Sequence, residues 1–292
     1  MGGEAARASR VYELVRRKPG PGLRGHVLGY RGFRITSRQP RRRLMVPDGV
    51  VKVMLGFGEP LRMLDAVRPS AVVRGASLVN AVRTTAAVGE HSGLLHGVTV
   101  LLTPLGAYRI FAVPMAEWAD HPLDVVDLLG TGAGSLLQRL AECREWGARF
   151  DLLDTVLLAR LRAGPRLSPE VVWAWRAVRR SQGTVPVAEL AAATGWSRRH
   201  LERRFLEQVG LAPKRLAQVV RLQRALRLQE DGMSWAQVAA AAEYHDEPHF
   251  DRTFKSMIGC TPGRFRVDRA HSAAKDPLDF LPGHITGLLL TG

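Results

Sequence analysis

Arg203 and Arg252 occupy equivalent positions in two similar segments of the chain, and so do His200 and His249. The segment LAAATGWSRRHLERRFLEQVGLAP, from Leu190, aligns with VAAAAEYHDEPHFDRTFKSMIGCTP, from Val238. Leu190 pairs with Val238 and Ala191 with Ala239, 48 residues apart; after the turn the spacing is 49, pairing Leu201 with Phe250, Phe205 with Phe254 and Gly210 with Gly259. A guanidinium near the start of a helix can meet guanine O6 and N7 with two parallel hydrogen bonds, or clamp a phosphate. A solvated helix face is the plain alternative for any single arginine. The matched pairs favour a reading role for Arg203 and Arg252, because neither they nor the two histidines fall on the apolar face.

The elements that would carry these side chains follow from local signals. Each segment begins with a short alanine-rich helix that a second helix can cross closely, the pattern of a helix-turn-helix. In the first, Gly195 suits the positive φ of a tight turn and Ser197 is an N-cap. In the second, Ser234 with Gln237 makes a capping box, and Asp246 caps a helix that tolerates Pro248 in its first turn. At about 100° per residue, Arg199 and Arg203 lie opposite Leu201 and Phe205, and Pro248, Arg252 and Lys255 lie opposite Phe250 and Phe254. The spacing predicts helix-turn-helix units over about 186–207 and 234–257, joined by a helix over about 213–229. That helix is roughly 26 Å long, suited with its turns to holding two reading helices about 34 Å, one turn of DNA, apart. Helix-start amides, with Arg198, Arg204 and Lys214, are candidates for phosphate contact.

Over about residues 168–268 the chain resembles the AraC/XylS family of bacterial transcription regulators. The resemblance rests on ELAAATGWSRRHLERRFLEQVGLAPKRL, on RLQRAL, and on SWAQVAAAAEYHDEPHFDRTFKSMIGCTPGRFR. It implies that the second helix of each unit reads DNA, placing Arg199, Glu202, Arg203, Glu247, His249 and Arg252 at base-reading positions. It also implies double-stranded DNA as partner, RNA polymerase as a further one, and a homodimer. Glu243 stands where that family usually has glycine in the second turn, so the turn needs a left-handed non-glycine residue or must absorb it through its extra residue.

The N-terminal part reads differently. GHVLGYRGFRI, VVKVMLGF, AVVRGASLV and LLHGVTVLL are short β-branched runs broken by glycine, and helical spacing takes over after Pro104. The expected architecture is therefore an α+β domain over 25–165, with a small antiparallel sheet plus helices. It is followed by an all-α domain over 166–269 of two helix-turn-helix units joined by a linking helix. Residues 1–24 read as a basic flexible arm and 270–292 as a tail. VPDGVVKVMLGFG and GVTVLLTPLGAYRIFAVPMAEWADHPLDVVDLLG resemble the N-terminal domain of a subset of the same family, which implies effector sensing or dimerisation.

Composition limits the alternatives. The net charge is +15, but residues 1–43 hold 12 Lys and Arg against Glu4 and Glu13, so basicity alone is a poor argument for nucleic acid. With 37 Arg to 5 Lys, a GC-rich genome would give such a bias unaided. No apolar run approaches the roughly 20 residues of a membrane span and the N-terminus has no signal peptide, so the expected location is the cytoplasm. Cys143 and Cys260 exclude a disulfide framework. His91 with His96, or His245 and His249 with Asp246, are conceivable metal ligands, and Asp48, His91 and His96 conceivable hydrolase residues. Neither set has a supporting motif, so no catalytic residue, metal or cofactor is expected. Tyr30, Phe33, Phe57, Tyr108, Phe111, Trp118 and Trp146 fit a core better than an effector pocket. RQPRRRL, residues 38–44, reads as a solvated loop or a phosphate contact. The competing function is a nonspecific, nucleoid-type nucleic-acid binder, and behind it an enzyme domain fused to a DNA-binding module.

Overall fold

The computed structural model describes residues 11–69, 72–118, 123–272, 281 and 283–290. Ten strands come early: β1 (Val11–Arg17), β2 (Val27–Thr36), β3 (Arg41–Met45), β4 (Val51–Gly56), β5 (Leu61–Asp65), β6 (Val72–Gly75), β7 (Leu78–Asn80), β8 (Ala87–His91), β9 (Leu94–Leu102) and β10 (Leu123–Asp124). Four helices frame them: α1 (Pro104–Phe111), α2 (Val125–Leu129), α3 (Ala133–Glu142) and α4 (Trp146–Ala163). Then come α5 (Pro169–Arg180), α6 (Val187–Thr194), α7 (Arg198–Val209), α8 (Pro213–Glu230), α9 (Trp235–Ala241), α10 (Glu247–Ile258) and α11 (Pro262–Ser272). A last strand, β11 (Gly287–Leu290), returns to the N-terminal sheets.

The strands form two antiparallel sheets, ordered β1-β2-β9-β4-β7-β10 and β11-β3-β8-β5-β6. Period-two alternation sorts their side chains. On β2, Phe33 and Ile35 point between the sheets and join Leu61, Met63, Leu78, Ala87 and Leu95 in one cluster. Tyr30 points the other way and stacks on Phe150 of α4, with ring centroids 5.6 Å apart. Gly32 shares that outer face because Trp146 fills the space: a Cβ there would lie 2.4 Å from the indole ring. Among the aromatics, Tyr30, Phe33 and Trp118 are fully buried, as core side chains are.

Three segments differ from the sequence reading. Within the expected basic arm, VYELVRR forms β1 along β2 from Tyr30 to Thr36, with Tyr12 and Leu14 packed on the inter-sheet cluster; residues 1–10 lie outside the described residues. The run at 38–44 is no free loop. Residues 41–45 are β3, paired on both edges, and Arg42 turns outward to Glu90 (Nε to Oε1, 2.9 Å) while Arg41 and Arg43 line the space between the sheets. The expected tail contributes β11, whose Leu288 is fully buried against the N-terminal core. Its pairing partner lies more than two hundred residues upstream, so no local pattern marks it.

The sheets and the helical region share one continuous core. Gln223 of α8 is buried and makes the central polar link: its amide donates to Pro47 O (2.7 Å) and Ile285 O (2.9 Å) and its oxygen accepts from Ile285 N (3.0 Å). Arg269 of α11 donates to Glu230 (2.9 Å) and to Gly287 O (2.6 Å), and Ser272 Oγ accepts from Leu289 N (2.6 Å). The returning strand is thus tied to both the linking helix and the last helix.

Candidate nucleic-acid interface

Helices α6 and α7 form one helix-turn-helix, α9 and α10 the other. Gly195 closes α6 in the left-handed conformation at φ 67°. The Ser197 hydroxyl then accepts the His200 amide at 3.2 Å, satisfying an amide that helix geometry leaves without a partner. In the second unit Ser234 and Gln237 make a reciprocal capping box. The Asp246 carboxylate accepts the His249 amide at 2.6 Å, with Pro248 in the first turn. The His245 ring and the His249 amide hold the Asp246 carboxyl below its ordinary value. Glu243 is left-handed at φ 57°, so the turn forms without glycine.

The apolar faces fall as the spacing requires. Leu201 and Phe205, and Phe250 and Phe254, are completely or almost completely buried. On the other side Arg198, Arg199, Arg203, Glu247, His249, Arg252 and Lys255 are exposed, whereas Glu202 is half-buried. Among the described residues Arg198, Arg199, Arg203, Arg252 and Lys255 have no acidic partner within ion-pair distance, so these cations remain available on α7 and α10. Arg204 is committed elsewhere. It pairs with Glu207 and donates to Ser168 Oγ at 2.9 Å, which makes it part of the scaffold under α5.

The matched histidines have a packing role that sequence reasoning missed. His200 lies edge-on to Trp196, with centroids 4.4 Å apart, and His249 lies beside Tyr244 at 5.8 Å. Trp196 and Tyr244 are themselves repeat partners, one in each turn. Aligning the turns as well as the helices would have exposed this aromatic pair. His200 Nδ1 also lies 3.4 Å from Arg203 Nη2.

The N-terminal domain reaches both α7 and α10. Tyr108 of α1 donates to Glu207 of α7 at 3.0 Å; burial and this carboxylate push the phenol up. Pro114, Ala116 and Glu117 form one wall of an open cleft of about 800 Å³ whose other wall is Arg199, His200, Glu202 and Arg203. At the end of α10, Ala86 N donates to Met257 O at 2.6 Å. Nothing in the local sequence signals announces these contacts.

His91, His96, His245 and Asp48 each have a packing or pairing partner. Among the described residues no three His, Cys, Asp or Glu side chains gather as metal ligands would. His91 Nδ1 accepts the Gly93 amide, His96 sits between Phe57 and Trp146, and His245 pairs with Asp246. Asp48 is buried in an ion pair with Lys52. Between the sheets lies a cavity of about 110 Å³, apolar along Phe33, Met63 and Leu95 and basic at Arg31, Arg43 and Lys52. No helix among the described residues is long and apolar enough to cross a membrane.

Comparison with known proteins gives the following likenesses. Residues 190–268 match a helix-turn-helix domain family. The HTH-type transcriptional regulator MtrA of Neisseria gonorrhoeae is 37% identical over 83 residues, which span 28% of this chain and 28% of that protein. The chain thus matches little more than a quarter of the length of this curated relative. Among solved structures, ToxT from Vibrio cholerae is similar at 12% identity, covering 81% of this chain and 96% of its own, with a TM-score of 0.45. The C-terminal domain of AraT, a response regulator from Geobacillus stearothermophilus, is 24% identical, covering 39% of this chain and 96% of its own, with a TM-score of 0.34.

Proposed function

We propose, from the match of residues 190–268 to a helix-turn-helix domain family, that the chain is a sequence-specific transcription regulator of the AraC type that reads two successive major-groove segments of double-stranded DNA. One observation carries the reading: two capped helices in tandem present exposed arginines without an acidic partner, Arg203 and Arg252, at the same step of a repeat, on the side away from the core. In this reading Arg199, Arg203, Glu202, Glu247, His249 and Arg252 face base edges, while Arg198 and Lys255 contact phosphates. Helix α8, 18 residues long, spaces the two readers by roughly 27 Å of helix plus the turns. The protein acts in the cytoplasm as a homodimer that engages RNA polymerase. The cavity between the sheets is where a small-molecule effector acts, and the N-terminal domain senses rather than catalyses.

Selection of binding sites from random DNA tests this. Two short boxes about one helical turn apart are the expected product. Arg203→Ala should relax preference in one box and Arg252→Ala in the other, each by about 1–3 kcal/mol. Failure to enrich any motif would sink the proposal in favour of a nonspecific binder, whose affinity falls with salt alike on every sequence.

A further inference from the structure

A second cavity, outside the space between the sheets, lies where the two halves of the chain and the returning segment meet. It measures about 370 Å³, within the range of small-molecule sites. The loop after β3 contributes Asp48, α5 contributes Trp175 and Arg179, α8 contributes Gln223 and Arg227, and the segment before β11 contributes His284.

Its charge is unbalanced. Asp48 is the lone acid of the lining, and it is already engaged by Lys52 and by Val50 N at 3.1 Å. Arg179 has no acidic partner among the described residues; its guanidinium lies 4.7 Å from the centre of the Trp175 ring. Arg227 gives one N–H to Gly283 O at 2.9 Å, and a guanidinium has five. His284 Nδ1 is buried with no hydrogen-bond partner among the described residues, which native interiors rarely leave so. Burial is the chief cause that holds the His284 ring below its ordinary value; Arg179, Lys52 and Arg227 add to it and Asp48 opposes it. Leu216 and Val220 add an apolar side to the cleft, which an inorganic ion would leave unused.

We propose that this interdomain cleft binds a small planar organic oxyanion, its acid group held by Arg179 and Arg227 and its apolar body against Trp175, Leu216 and Val220. The site goes beyond the effector cavity of the sensing domain. Because its walls come from both halves of the chain and from the returning segment, a ligand there holds them together, and its binding to the folded state raises thermal stability.

The test uses the full chain without DNA, so its outcome is independent of whether Arg203 and Arg252 read bases. Binding of 2-naphthoate, 2-naphthyl phosphate and neutral 2-naphthamide is measured by calorimetry and by tryptophan fluorescence; the two anions separate a carboxylate site from a phosphate site. At least one anion should bind saturably and raise the melting temperature, with the amide at least about 10-fold weaker. Arg179→Gln and Arg227→Gln should each weaken the anion about 10-fold, and Trp175→Leu should remove the fluorescence change. Equal affinity for the amide overturns the proposal, as does indifference to both arginine substitutions. So does the absence of saturable binding of any probe up to about 5 mM.

Discussion

In the second turn Glu243 has a left-handed backbone, a conformation that costs an L-residue about 1–2 kcal/mol. Its compensation is small. The carboxylate is 3.8 Å from Arg224 and mostly exposed, and exposed pairs contribute little. Glu243→Gly should therefore be neutral or should stabilise by up to about 1 kcal/mol, read as a rise in the urea midpoint; a clear fall would mean that the Arg224 contact outweighs the strain. At this scale most of the candidate site was legible. Ser197, Ser234 and Asp246 cap as their types and positions require, because capping needs only residues within one turn. The side-chain fate of Arg204 was only half legible: Glu207 lies one turn on in the same helix, but Ser168 comes from the start of another.

Among the elements, α8 separates the two units and also anchors the returning segment through Gln223. Replacing that side chain by leucine keeps its approximate volume but leaves Pro47 O, Ile285 O and Ile285 N without their partner. Gln223→Leu should cost roughly 1–3 kcal/mol or more in urea unfolding, the penalty for orphaned buried polar groups. A cost within about 0.5 kcal/mol would mean that the segment is held by its strand pairing alone. The helices were readable because apolar period, caps and breakers are local. The strands were readable where β-branched residues alternate, as in β2, β4 and β9. β3, written RRRLM, reads as a charge run because two of its arginines face inward, against the usual binary pattern. β11, four residues long, is defined only by a partner far away in sequence.

For the whole molecule, the pattern of titratable groups predicts sensitivity to mild acid. His26, His91, His96 and His284 are each held below the ordinary value of 6.5 by burial first, with Arg109, Arg41, Arg34 and Arg179 among the charges that add to it. In the unfolded chain these rings protonate at about 6.5, so the unfolded state takes up protons that the folded state refuses. Stability should be complete above that pH and fall as pH drops below it toward the depressed folded values. Urea midpoints measured from about pH 8 to 5 should decline from about 6.5 downward, and a flat profile to about pH 5 would contradict this account. The core shared by sheets and helices explains why the effect would be felt throughout: Tyr108 of α1 fastens α7, and Ala86 fastens α10, to the domain that carries His91 and His96.

The pairing of β11 with β3 also constrains how the chain reaches this state. Met45 and Gly287 become neighbours only after everything between them has been made, so the helical region is enclosed in a loop that the strand closes. Closing so long a loop carries an entropic cost that is recovered only when α8 and α11 are already in place to receive the strand. The edge of β3 stays open until then, so this topology favours docking of the strand after the helices that receive it.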